Sequence, residues 1–267
     1  MSSFNDNTPN NVAPGNTFRS KLPYLLPLLF MIAALPFLLI NQMPGNDVAG
    51  RYAPMAEAFA SGEWKLAFHP RFGLLFPIIS GTTAFITQLD GFRSCQLASL
   101  LMYVLAAYPL YGIFKMLFDS DAALKGMILY LACSHLLRIP LEGLRDSGKT
   151  LGFVLAVYGI IYLLQNRHKL HGYIAVALGS ALLTMLRGDG ALTALMLLMI
   201  MMTLDAAMHH WRIFRSILAG AIFLLLIVPQ LIYVCKLTGY PVPEMRHAQL
   251  LKKMQLPALT TPELELP

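Results

Sequence analysis

Residues 23–41, 94–118, 190–208 and 214–236 each form an apolar stretch of about eighteen residues or more, the length a helix needs to cross the hydrocarbon of a bilayer. An ordinary soluble domain has no use for several of them. With 57% of its 267 residues hydrophobic and 13% charged, the chain reads as a polytopic membrane protein. Within hydrocarbon, every backbone N–H and C=O needs a partner inside the protein, which leaves helices or a closed barrel. Barrel strands alternate over about ten residues. These stretches are longer and uniformly apolar, so the expected fold class is all-α. The net charge of +6 is modest and lies in short clusters between apolar runs, which suits helix orientation and excludes a nucleic-acid partner. Cys95, Cys133 and Cys235 are scattered through apolar segments without metal-ligand spacing and read as packing residues.

The full set of apolar runs is 23–41, 73–89, 94–118, 121–138, 148–165, 171–187, 190–208 and 214–236. Basic residues cluster at Arg19 with Lys21, Lys115 with Lys125, Arg167 with Lys169, and Arg212 with Arg215, and such clusters favour the cytoplasmic side. They share one side only if one run does not cross. Run 73–89, with Pro77, Gly81 and two threonines at its centre, is the weakest lipid-exposed helix and is assigned to the outer interface. Seven crossings then remain. The expected organisation is a disordered cytoplasmic N-terminus over 1–21, a transmembrane module over 22–236 with an outer loop at 42–93, and a short outer tail over 237–267. The long loop has no counterpart in the second half, so the inverted repeat of many transporters is not seen.

This parity sends Asp47, His69, Glu142, Asp146 and Asp189 to one face together with Arg51, Arg71, Arg145 and Arg187. Orientation rules ask for none of those arginines, whereas a phosphate or carboxylate ligand would use their planar donors. Pairing with lipid headgroups or neighbouring acids explains them equally well. Asp47 suits a general base, or the N-cap of a helical turn. Val48, Tyr52, Met55 and Phe59 recur at helical spacing, which suggests an amphipathic helix resting on the bilayer, with Pro54 breaking it or starting its second half. Asp146, in "RIPLEGLRDSGK", also fits a cap. Arg187 and Asp189, in "LRGDGAL", fall at the tight end of a helical hairpin. His69 lies in a loop. His209, His210 and the methionines of "MLLMIMM" suggest no chemistry.

The order of these features resembles the GT-C superfamily of membrane glycosyltransferases, in the bacterial branch related to protein mannosyltransferases and aminoarabinose transferases. The resemblance is carried by an acid after the first membrane helix, "RYAPMAEAFASGEW", "AFHPRFGLLFPII", "GLRDSGKTLGFVLAVYGIIYLL" and "ALLTMLRGDGALTALMLL", and spans about residues 22 to 236. It implies transfer of a sugar from a polyprenyl-phosphate donor to an acceptor glycan, lipid or protein at the outer face of a bacterial inner membrane. Asp47 would be the base and Asp146 a second acid of the same cavity. Arg145 and Arg187 would face the donor phosphate, with Arg51, Tyr52, His69, Arg71 and Asp189 as further substrate contacts. No cofactor is implied; a divalent cation would be compatible with the acids, though no spacing marks a site. The family pattern usually continues into further helices and a soluble domain, so a truncated or minimal member is expected. A catalytically inactive scaffold subunit and a lipid or solute transporter are the alternatives.

Overall fold

The computed structural model describes residues 16–41, 43–166, 169–208, 213–254 and 258. Arg167, His209, His210 and Arg212, together with most of the N-terminal segment and the end of the tail, lie outside the described residues. Within them the fold is entirely helical. The helices are α1 (Asn16–Ile40), a π-helical turn (Val48–Tyr52), α2 (Ala53–Ala60), α3 (Trp64–Ala67), α4 (Leu75–Thr87), α5 (Gly91–Leu117) and α6 (Ser120–Ala132). There follow α7 (Ser134–Leu141), α8 (Asp146–Gln165), α9 (Leu170–Leu186), α10 (Gly190–Met208), α11 (Ile213–Thr238) and α12 (Met245–Lys253).

Five helices, α1, α5, α8, α10 and α11, are long and apolar enough to cross a membrane. The pair α6 and α7, bent by 52° at Cys133, makes a sixth if it counts as one broken span. The expected count of seven is therefore not reached on length. The shortfall is α9, a largely apolar helix of 17 residues that stops at Leu186, where Arg187 leaves in an extended conformation. Run 73–89 becomes α4, whose 13 residues extend about 20 Å, short of the roughly 30 Å hydrocarbon core. It ends at Gln88, which adopts a left-handed conformation (φ 58°) that closes the helix.

Short polar caps start the central helices. Asp90 accepts a hydrogen bond from the Arg93 amide at 2.8 Å at the head of α5, and Asp119 accepts from Ala122 at 2.7 Å before α6. Close backbone approach binds α8 to α9: a Cβ on Gly152 would come within 2.8 Å of the Gly179 carbonyl, and one on Gly179 within 2.5 Å of the Gly152 carbonyl. Small residues at such crossings let helices pack without a hydrophobic drive from water. Three apolar clusters result. One lies among α8 to α11, around Val176, Leu183, Leu198 and Phe223. A second joins α1, α5 and α6 around Leu38, Leu100, Tyr103 and Met127. A third, with Tyr52, Phe72, Phe76, Cys95 and Leu186, lies beneath the first long loop.

That third cluster corrects one expectation. The stripe of Val48, Tyr52 and Met55 is buried against α4 and Leu186 instead of resting on lipid. An apolar stripe does not distinguish a bilayer from a protein interior, and here α4 supplies the partner. Pro54 sits at the first turn of α2, where its missing N–H costs nothing.

Helix ends meet in two groups. At one end Asn41, after α1, donates to the Leu141 carbonyl at the end of α7 (2.7 Å), and Arg93 of α5 donates to the Asn41 carbonyl (2.8 Å). Arg145, before α8, donates to the Leu186 carbonyl at the end of α9 (3.0 Å). At the other end the Tyr108 hydroxyl donates to the Tyr24 carbonyl (3.0 Å), and Gln165 donates to the Met116 carbonyl (2.6 Å). The first end carries the charged residues described next.

Candidate active site

The long loop is fastened down at several points. Glu57 of α2 accepts from the Gly91 amide at 2.9 Å, which ties α2 to the head of α5. Gln230, buried in α11, accepts from the Leu74 amide (3.3 Å) and donates to the Pro243 carbonyl (2.7 Å). Tyr233 donates to the Phe68 carbonyl (3.1 Å), and the Met245 amide donates to the Pro70 carbonyl (2.8 Å). Gly73 lies against the end of α9, where any Cβ would fall 2.0 Å from the Met185 carbonyl oxygen. A segment with little regular structure is thereby held in one place.

Asp47 immediately precedes the π-helical turn but makes no side-chain cap. Its carboxylate instead accepts from Arg51 at 2.8 Å, one turn away, and is 57% exposed. The Arg51 guanidinium lies 5.2 Å from the centre of the Phe72 ring. Arg145 approaches the same ring at 5.9 Å and the Tyr52 ring at 5.3 Å, so Phe72 links the two arginines.

Asp146 is likewise no cap, because Arg145 holds that position and makes no capping bond. Asp146 accepts from Arg187 at 2.9 Å, and Arg187 also reaches Asp189 at 3.0 Å. Lys149 completes the chain, 3.4 Å from the other Asp189 oxygen. Burial works against the Arg187 charge, but Asp189 and Asp146 outweigh it and raise its pKa. The cation is thus secured at every pH of interest.

Between these groups lies Tyr52, 1% exposed, whose hydroxyl has no hydrogen-bond partner among the described residues. Burial pushes its pKa up to about 12; Arg145 pulls it down, and Asp47, Glu244 and Asp146 push it further up. Arg145, which lies over the Tyr52 ring, is itself 3.8 Å from Glu244. Asp47 and Asp146 stand on either side of this tyrosine in charge terms, each bound to its own arginine.

His69 is exposed and uses its Nδ1 to accept from the Arg71 amide at 3.1 Å. Burial of part of its ring, then the charges of Arg71 and Arg51, lower its pKa, so it is neutral at neutral pH. Arg71 is exposed and has no ion-pair partner among the described residues. Glu142 pairs with Arg138 one turn earlier, and its carbonyl accepts from the Gly45 amide at 3.3 Å, two residues before Asp47. Among the described residues no three His, Cys, Asp or Glu side chains gather as a metal-ligand group.

Two members were missed from sequence. Glu244, in the tail after α11, is 4% exposed; it accepts from the Gly188 amide at 2.6 Å and lies 3.8 Å from Arg145. A Cβ on Gly188 would collide with it at 2.6 Å. Its only sequence signal is a lone acid after the prolines of "YPVPE". Lys149 was visible, one helical turn after Asp146, but nothing in the sequence points it at Asp189.

No curated protein and no solved structure matches the chain significantly. The family model for dolichyl-phosphate-mannose-protein mannosyltransferases matches residues 69–233, more than half of the 267, and runs from before α4 into α11, with Asp146, Arg187 and Asp189 inside it. Its description accords with a helical membrane glycosyltransferase of the GT-C superfamily. With the apolar helices and the acid–arginine cluster already in place, this match makes the chain a member of the dolichyl-phosphate-mannose-protein mannosyltransferase family.

Proposed function

We propose that the chain takes a sugar from a polyprenyl-phosphate donor and transfers it to a hydroxyl of a glycan, lipid or protein acceptor at its charged end, which faces the outside of a bacterial inner membrane. Asp47 removes the acceptor proton. The resulting oxygen attacks the anomeric carbon, and the bond from that carbon to the phosphate oxygen breaks. The phosphate leaves with the electron pair on its carrier lipid. Such a displacement needs a base on one side and fixed positive charge on the other.

The observation that carries this reading is the unequal holding of the two acids. Asp47 is more than half exposed and bound only through its own turn, so an incoming hydroxyl can replace Arg51. Asp146 is engaged by Arg187 from a different hairpin, which suits it to orient that arginine toward a phosphate. Arg145 and Lys149 supply further positive charge nearby. Tyr52 offers an unused O–H donor; His69, neutral at neutral pH, and the exposed Arg71 line the approach, and Asp189 steadies Arg187 and Lys149.

The test is transfer from a polyprenyl-phosphate sugar in proteoliposomes by the wild type and Asp47→Asn. A general base contributes about 10²- to 10⁴-fold, so the variant should lose at least about 10²-fold in rate. Equal rates would remove Asp47 as the base. Orientation has its own check: Ser61→Cys, at an exposed loop position, should react with an impermeant thiol reagent added outside. Labelling from the cytoplasmic side alone would reverse the arrangement.

A further inference from the structure

At the end opposite the charged cluster, the start of α1 and the last turns of α5 and α8 line a half-open cavity of about 450 Å³. Along α8 the sixteen residues from Asp146 to Tyr162 rise about 24 Å, which separates this cavity from the acid–arginine site by most of a bilayer's thickness. The lining is unusual in kind. Five tyrosines, among them Tyr24, Tyr108, Tyr158 and Tyr162, surround it with Lys115 and Asn166, and none of its lining residues is acidic.

The Tyr108 hydroxyl is spent on the Tyr24 carbonyl and holds the wall between α5 and α1. The Tyr158 and Tyr162 hydroxyls, the Asn166 amide group and the Lys115 ammonium have no side-chain hydrogen-bond or ion-pair partner among the described residues. Among the described residues, donors and the Lys115 charge therefore line one half-open space, with aromatic and aliphatic surface beside them. A cation would find no carboxylate there. An anion with an attached apolar body would find both a counter-charge and a wall.

We propose that this cavity binds the phosphodiester headgroup of an anionic membrane lipid in the leaflet opposite the candidate active site. Lys115 neutralises the phosphate, the Tyr158 and Tyr162 hydroxyls with Asn166 donate to its oxygens, and the ring faces pack against the glycerol and the first carbons of the chains. Tyrosine suits this position, since one end of its ring is apolar and the other wet. The volume lies within the range of small-molecule sites. The reading does not depend on the proposed sugar transfer.

The test uses the full chain in mild detergent with phosphatidylglycerol, phosphatidylcholine or inorganic phosphate added. Retained lipid is counted by native mass spectrometry, and thermal unfolding is followed in parallel. Phosphatidylglycerol should be retained and should raise the unfolding temperature, while phosphatidylcholine and phosphate do neither. Lys115→Gln removes a charge-assisted contact and should weaken retention on the order of tenfold. Tyr162→Phe should weaken it by a smaller factor, and Lys125→Gln, exposed on α6 outside the cavity, should leave it unchanged. Lys115 is itself exposed, so its substitution leaves the fold intact. Equal retention of phosphatidylcholine, equal stabilisation by inorganic phosphate, no loss in Lys115→Gln, or an equal loss in Lys125→Gln would each overturn the proposal.

Discussion

The turn at Asp47 and the hairpin at Asp146–Arg187–Asp189 both join aspartate to arginine at 2.8 to 3.0 Å, yet they are built in opposite ways. The first is local: donor and acceptor lie four residues apart at one π-helical turn, and the acid, 57% exposed, is the more solvated partner. The second joins residues 41 apart, is about two-thirds buried, and is continued by Lys149 while Glu244 braces the same hairpin. A local solvated pair can open at little cost, because water replaces each partner. A pair between two chain segments, with a second acid on the same arginine, has less freedom to open. The proposed roles follow this contrast, with the open pair set for proton transfer and the braced one for holding charge in place.

The largest expected difference between them is kinetic. Asp47→Asn should lower transfer by about 10²-fold or more while leaving the unfolding temperature unchanged, because surface groups contribute within about 0.5 kcal/mol. Loss of stability in that variant would erase the contrast. Next comes Glu244→Ala, which strands the buried Gly188 amide and removes the counter-charge of Arg145. Denaturation in detergent should show a loss of about 2–4 kcal/mol, and a loss no larger than that of a surface variant would show that the hairpin needs no brace. Gly73→Ala forces a methyl group onto the Met185 carbonyl and should cost about 1–3 kcal/mol by the same measurement. Asp146→Asn should cost about 1 kcal/mol, the worth of a partly solvated pair.

The smallest effect is a pH slope. The folded state holds the His69 pKa below its ordinary value, so between the two values the unfolded chain binds more protons and stability rises with pH. The rise should flatten near the unperturbed value of about 6.5. In His69→Gln the slope over that window should be shallower than in the wild type; an unchanged slope would assign it to other groups.

Much of this was legible in the residues. Apolar length announced the helices, and Pro77, Gly81 and the threonines singled out the run that forms the short helix α4. The glycines around Arg187 and Asp189 located the hairpin, and the basic clusters implied that acids and arginines would gather at the opposite end. Which acid would meet which arginine was not legible, because a pairing across 41 residues depends on how α8 and α9 pack. The inward face of Tyr52 was hidden for a different reason: lipid and protein core select the same apolar stripe. Glu244 was hidden because a single acid in a short tail carries no period and no motif.

The position of Glu244 also sets a sequence of events. Chains emerge from the ribosome N-terminal end first, so Asp47, Arg145 and Arg187 are all made before the acid that steadies their surroundings. Until the residues after α11 have been synthesised and have returned across the end of the bundle, Arg145 lacks that carboxylate and the Gly188 amide lacks its acceptor. Assembly of the charged cluster is thus completed only by the segment that follows α11.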